Sequence, residues 1–151
     1  MTAGSSRLAL DVLVRRTQLD VIIDNHGTDS VRVWDRSNSW GWNTLSLTVA
    51  TLSPSESHFT LTPKVRAFTR NGPGFIEIPA GGSHLTVITP DYPEWDQLER
   101  IAHLRGETLR VQANLRIPPS PEATVLGVFV GEVDSQWQES QPPHLWLFTE
   151  P

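Results

Sequence analysis

The 151-residue chain reads as a mostly β protein, an antiparallel β-sandwich of about seven to nine short strands with one short helix near residues 92–105. Three observations predict it. Apolar residues recur with a period of two over most of the length, turn-forming residues separate those runs, and a single segment changes to three- and four-residue spacing. Hydrophobic residues make up 38% of the chain and charged residues 19%, enough apolar side chain for one core, so residues 1–151 are expected to form a single domain.

The first strand is read at Leu8, Leu10, Val12 and Val14, and the second at Leu19, Val21 and Ile23, set against Asp20 and Asp24. Asn25-His26-Gly27-Thr28-Asp29-Ser30 follows, rich in residues that tolerate positive φ or bond their own backbone. Val31 and Val33, then Leu45, Leu47 and Val49, then Phe59 and Leu61 continue the alternation. Asn71-Gly72-Pro73-Gly74 precedes Ile76 and Ile78, and Pro79-Ala80-Gly81-Gly82 precedes Leu85 and Val87. In each of these pairs the apolar members are expected to face the core.

Between Asp91 and Arg105 the rule changes. Trp95, Leu98, Ile101, Ala102 and Leu104 fall mainly at helical spacing. Asp91 and Glu94 have the spacing of a capping pair, Pro93 loses no helical bond in a first turn, and Gly106 can supply a left-handed stop. The clearest strand comes next, with Leu109, Val111, Ala113, Leu115 and Ile117 alternating against Arg110, Gln112, Asn114 and Arg116. Pro118-Pro119-Ser120-Pro121 reads as a stiff connector, followed by Val128 and Val130 and finally Leu145 and Leu147.

This succession of strands resembles immunoglobulin-like and fibronectin-like sandwiches found as bacterial accessory domains. Residues 75–87, Phe75-Ile76-Glu77-Ile78-Pro79-Ala80-Gly81-Gly82-Ser83-His84-Leu85-Thr86-Val87, are similar to the strand–PxGx–strand corner common in them. The antibody disulfide pair is missing, and the only tyrosine, Tyr92, precedes the helical segment instead of lying in a late strand. The resemblance implies a fold class and a leaning toward binding.

Composition narrows the function. A formal net charge of −5 opposes phosphate backbones, so nucleic acid is not an expected partner. Cysteine is absent, which removes disulfides, thiolate catalysis and zinc–thiolate sites. The first residues lack a charged region followed by an apolar one, and no apolar run nears the about 20 residues that span a bilayer. A cytoplasmic protein without a membrane partner is expected. His26, His58, His84, His103 and His144 show neither H-x-H nor H-E-x-x-H spacing, so no metal or other cofactor is expected. No G-x-S-x-G elbow is present, and Ser83 and His84, as strand neighbours, would face opposite sides. Glu132 and Asp134 share one face of a late strand, read as a solvated face and not an acid pair across a cleft. An enzyme is not expected.

What remains is aromatic. Three of the six tryptophans fall within Trp34-Asp35-Arg36-Ser37-Asn38-Ser39-Trp40-Gly41-Trp42. The Asp35, Ser37 and Ser39 spacing resembles the metal-ion-dependent adhesion site of von Willebrand A domains, but that family carries a parallel sheet with alternating helices. A turn whose Asp, Asn and Ser side chains bond local backbone is the simpler reading. Alternation would set Trp34 on the outer face between Arg32 and Arg36, and an extended segment would put Trp40 and Trp42 on one face. The tract then serves as a plug in the open end of the sandwich, as a recognition surface, or as both, since a buried plug and an exposed flank can coexist. The function expected of it is recognition: Trp40, Trp42, Trp34, Arg36 and Asn43 bind another protein in an accessory, inhibitor or toxin-immunity role. On that reading Arg36→Ala weakens binding without unfolding. Carbohydrate binding on an exposed, coplanar Trp40–Trp42 pair is the alternative. A structural subunit that forms homodimers through Leu145-Trp146-Leu147-Phe148 is the third.

Overall fold

The computed structural model describes residues 7–52, 58–69, 71–88, 95–96 and 106–142. They are mostly β, with ten strands in antiparallel sheets and two short helices. β1 (Leu8–Val14), β2 (Leu19–Asn25) and β7 (Ser83–Ile88) form one sheet in the order β1-β2-β7. β4 (Leu45–Thr51), β5 (His58–Leu61), β8 (Leu109–Ile117) and β10 (Gln138–Ser140) form a second in the order β10-β8-β4-β5, with β9 (Gly131–Asp134) also paired to β8. β3 (Val31–Trp34) and β6 (Phe75–Ile78) make a separate pair.

Alternation explains why the sheets face one another. Leu8, Leu10 and Val12 of β1, Val21 of β2, Leu45, Leu47 and Val49 of β4, and every second residue of β8 from Leu109 to Ile117 are buried in one contiguous cluster. β1 lies against β8, β9 and β10, so two sheets share this interior as in a β-sandwich. Each fully buried aliphatic side chain there contributes about 1.5–3 kcal/mol.

The strand partners of β8 change midway, and one serine explains the change. β10 pairs with Leu109 to Val111 and β9 with Asn114 to Ile117. Ser135 fills the gap: its N–H donates to the Ala113 carbonyl at 2.8 Å and its Oγ accepts from the Ala113 N–H at 2.8 Å. Asn25 ties two sheets together by a similar device. Its Nδ2 donates to the carbonyls of Asp29 and Ile78, both at 2.9 Å, while its backbone carbonyl accepts from Gly81 N–H in the corner between β6 and β7.

Several expectations need correction. In β7, Leu85 and Val87 are exposed at 51% and 42%, while His84 and Thr86 turn inward. Periodicity sets two faces apart but does not say which one is covered. The late strand begins at Gly131, and Val128 and Val130 precede it, Val128 as a bridge to Arg32. Two helices were not anticipated. α1 (Ser39–Trp42) occupies the tryptophan tract, and α2 (Pro121–Leu126) follows the proline connector. Ser120 caps α2 by accepting from Ala123 N–H, Pro121 opens it, and Gly127 ends it with φ 65°. Of the helix expected at 92–105, only Trp95 and Asp96 lie among the described residues. There Trp95 forms a bridge with Pro63, and Asp96 N–H donates to Thr62. The strand expected at 145–148, with its dimer contact, lies outside the described residues.

Candidate functional site

The tryptophan tract is shaped by two polar side chains and one glycine. β3 ends at Trp34, and the Asp35 carboxylate accepts from Ser37 N–H at 2.9 Å, an Asx turn. Asn38 then caps α1, its Oδ1 accepting from Trp40 N–H and Gly41 N–H, both at 3.0 Å. Its Nδ2 donates to the Gly74 carbonyl at 3.0 Å, and Asp35 N–H donates to that same carbonyl. The chain thereby folds back onto itself. A Cβ at Gly41 would stand 2.0 Å from the Asp35 carbonyl oxygen, so only glycine permits the approach.

The helical turn separates the two tryptophans that an extended chain would align, because residues two apart on a helix point about 200° from one another. Trp40 packs on Trp34 with ring centroids 6.1 Å apart and planes tilted by 40°. Trp42 points away from them and is 4% exposed. Its indole N–H donates to the Lys64 carbonyl at 2.7 Å, and its ring meets Phe68 edge-on at 6.1 Å. Arg36 stacks over Trp42 at 5.1 Å and Trp95 at 5.6 Å, and Arg66 over Trp42 at 5.1 Å.

The expected site therefore divides. Trp34, placed by alternation on an open outer face, is 4% exposed because α1 covers that face. Trp42 and Arg36 belong to a packed aromatic–guanidinium cluster away from Trp40. Replacing Arg36 would disturb packing as well as any contact, which removes it as a clean test of binding. Trp40 is half-buried and Asn43 exposed. With Trp34, Thr44, Arg116 and Pro118 they line an open groove of about 530 Å³. Arg116 and Pro118, at the end of β8, were not singled out by sequence. Nothing in the alternation distinguishes a polar strand residue that borders a groove from one that meets only water.

Trp34 and Thr44 form a wall between this groove and a second cavity of about 240 Å³. The second cavity lies where β2 and β7 face β4 and β8, with β3 and β6 along one side. His84 lines it. Burial pushes the His84 imidazole below its usual value, and the Asp35 carboxylate opposes that shift.

Other expected features are placed as follows. Ser83 and His84 face opposite sides of β7, and Ser83 Oγ donates to Asp24 instead. Glu132 and Asp134 are exposed and both accept from Asn114 Nδ2, at 2.9 and 2.6 Å. Among the described residues, no group of three His, Asp or Glu side chains is placed to hold a metal ion. Among them, too, no helix is long and apolar enough to cross a membrane. Comparison with known proteins gives no significant match to a family model, a curated protein or a solved structure.

Proposed function

We propose that the chain is a non-catalytic recognition module that binds another protein in the groove centred on Trp40. The observation that carries this reading is the composition of that groove: a half-buried indole backed by Trp34 and Pro118, bordered by the exposed side chains of Asn43 and Arg116. Aromatic and Arg side chains around a partly desolvated pocket are the usual makeup of binding hot spots, and a fixed indole loses little side-chain entropy on binding. An accessory, inhibitor or toxin-immunity role in a bacterial cytoplasm, on an immunoglobulin-like strand arrangement, is the form this recognition takes in our reading. The carbohydrate alternative receives less support, because Trp42 is buried and does not form a coplanar platform with Trp40.

A photo-crosslinking amino acid at position 43, used in extract of the native host, tests the proposal. We expect one protein to be captured, with a yield that falls about tenfold on Trp40→Ala and severalfold on Arg116→Ala, as loss of a hot-spot anchor requires. Arg116 is exposed, so its loss should shift stability by no more than about 0.5 kcal/mol. Leu13→Ser, on the β1-β2-β7 sheet, should leave the yield unchanged. An unaltered yield in both groove variants would sink the reading.

A further inference from the structure

Protein interiors are packed about as tightly as organic crystals, with few voids larger than a water molecule. The space between β2–β7 and β4–β8 is well above that, at about 240 Å³. Its walls are aliphatic: Val21, Ile23, Val33, Leu45, Leu115 and Ile117. Its β7 side is not. His84, Leu85 and Thr86 of β7 line it; His84 and Thr86 are the partly buried ones, while Leu85 is 51% exposed and Val87, which does not line it, is 42% exposed. Ile88, on the same inward face, is aliphatic and buried in the core, so the strand can fill a core where it meets one, and the polar residues at 84 and 86 mark a stretch built for something other than packing. An apolar chamber with a few convergent polar groups is the general form of a small-molecule site.

We propose that this cavity binds a small, uncharged, mostly apolar molecule carrying a single hydroxyl or carbonyl group. The apolar body rests on the aliphatic walls, and the polar end meets the His84 imidazole and the Thr86 hydroxyl. An apolar cavity of about 150 Å³ takes benzene, so a cavity of this size accommodates a ligand of about ten non-hydrogen atoms. Asp35 and Arg36 both line the cavity and carry opposite charges, so the site has no net charge to select an ion. A neutral imidazole and a hydroxyl each donate and accept, which suits either a hydroxyl or a carbonyl. This site is separate from the Trp40 groove and does not rest on the proposed protein partner.

The test is a methyl-resolved NMR titration of the full chain with cyclohexylmethanol, compared with methylcyclohexane, which lacks the hydroxyl, and with cyclohexanecarboxylate, which is anionic. We expect saturable shifts confined to the methyl groups of the wall residues, with cyclohexylmethanol binding tightest. His84→Leu should weaken cyclohexylmethanol about tenfold, the worth of one hydrogen bond, and leave methylcyclohexane unchanged. Thr86→Phe should fill the chamber and abolish binding of both. If that variant does not fold, the alcohol-to-hydrocarbon ratio in His84→Leu decides alone. Wall methyls that stay unshifted with every probe overturn the proposal. So do a folded Thr86→Phe that binds as well as wild type, an unaltered ratio in His84→Leu, and tightest binding of the carboxylate.

Discussion

β8 and β7 are both antiparallel strands of alternating sequence, and they use their inner faces differently. β8 is held between β4 on one side and β9 and β10 on the other, and its aliphatic residues all lie in the core. β7 stands at the end of its sheet with β2 as its only strand partner among the described residues, and two of its three aliphatic residues, Leu85 and Val87, are exposed while Ile88 is buried. The difference lies in what each inner face meets. β8 meets the packed side chains of β1 and its neighbours and reaches the cavity only with Leu115 and Ile117 at its end, so apolar contact decides the face. β7 meets a cavity at His84 and Thr86, so those two inward positions need not be apolar, whereas Ile88 beyond them meets the core and is apolar.

That contrast can be broken by truncating each region in turn, and the largest effect belongs to the packed side. Leu47 lies fully within the β4–β8 interior. Leu47→Ala should cost about 3 kcal/mol, from lost burial plus the cavity left behind, read as a lower denaturant midpoint with an unchanged slope. A cost under about 1 kcal/mol would mean that this interior is not the packed half of the molecule.

The tryptophan turn comes second. Gly41→Ala forces a methyl against the Asp35 carbonyl, and the backbone must move to admit it. A loss of about 2 kcal/mol is expected in chemical denaturation, with the Trp34–Trp40 contact disturbed and intrinsic fluorescence altered. A neutral substitution would mean that α1 does not fold back on β3.

These two sites also mark how far the sequence could be read. The face and extent of β8 were legible because nine residues alternate without a break and both fates, core and water, are realised there. Strand positions for β1 to β6 followed from the same pattern and from the turn residues between them. The tryptophan turn was not legible as a helix, since four residues, Ser39-Trp40-Gly41-Trp42, are too few to show a period. Its local signals were Asn38 as a cap and Gly41 as the point of close approach, and both can serve in an irregular turn equally well. The tract stands out in the sequence because three of the six tryptophans fall in it. Which indole meets the groove was not legible, because Trp40 and Trp42 share a face in an extended chain and oppose one another in a helix. In β7 the alternation is legible and its inner face is not, since a cavity leaves no trace in periodicity.

A smaller effect sharpens the comparison from the outside. Leu85→Thr with Val87→Thr removes the apolar character of the outer β7 face while keeping residues suited to a strand. Being exposed, the pair should change stability by no more than about 0.5 kcal/mol each. A loss several times larger, measured by thermal unfolding, would show that something of this molecule covers that face.

The smallest effect separates the two faces of the β1-β2-β7 sheet by the sign of their pH response. On the outer face, the Asp11 carboxyl is held above its usual value of 3.8 by a hydrogen bond with Asp24, by burial and by the Asp24 charge, with His26 opposing. A carboxyl that keeps its proton more firmly in the folded state contributes stability that is present below pH 3.8 and lost as pH rises through the folded value. On the inner face, His84 has a depressed value, so its contribution is present above pH 6.5 and lost as pH falls through the folded value. Asp11→Asn removes the like-charge contact, so at pH 7 it should raise the melting temperature by about 1 °C, a gain that disappears below pH 3.8 where wild type is already protonated. His84→Gln should instead flatten the loss of stability below pH 6.5 and leave the behaviour near pH 4 to Asp11. If Asp11→Asn lowers the melting temperature at pH 7, repulsion between the two carboxylates is not what Asp11 contributes on this face.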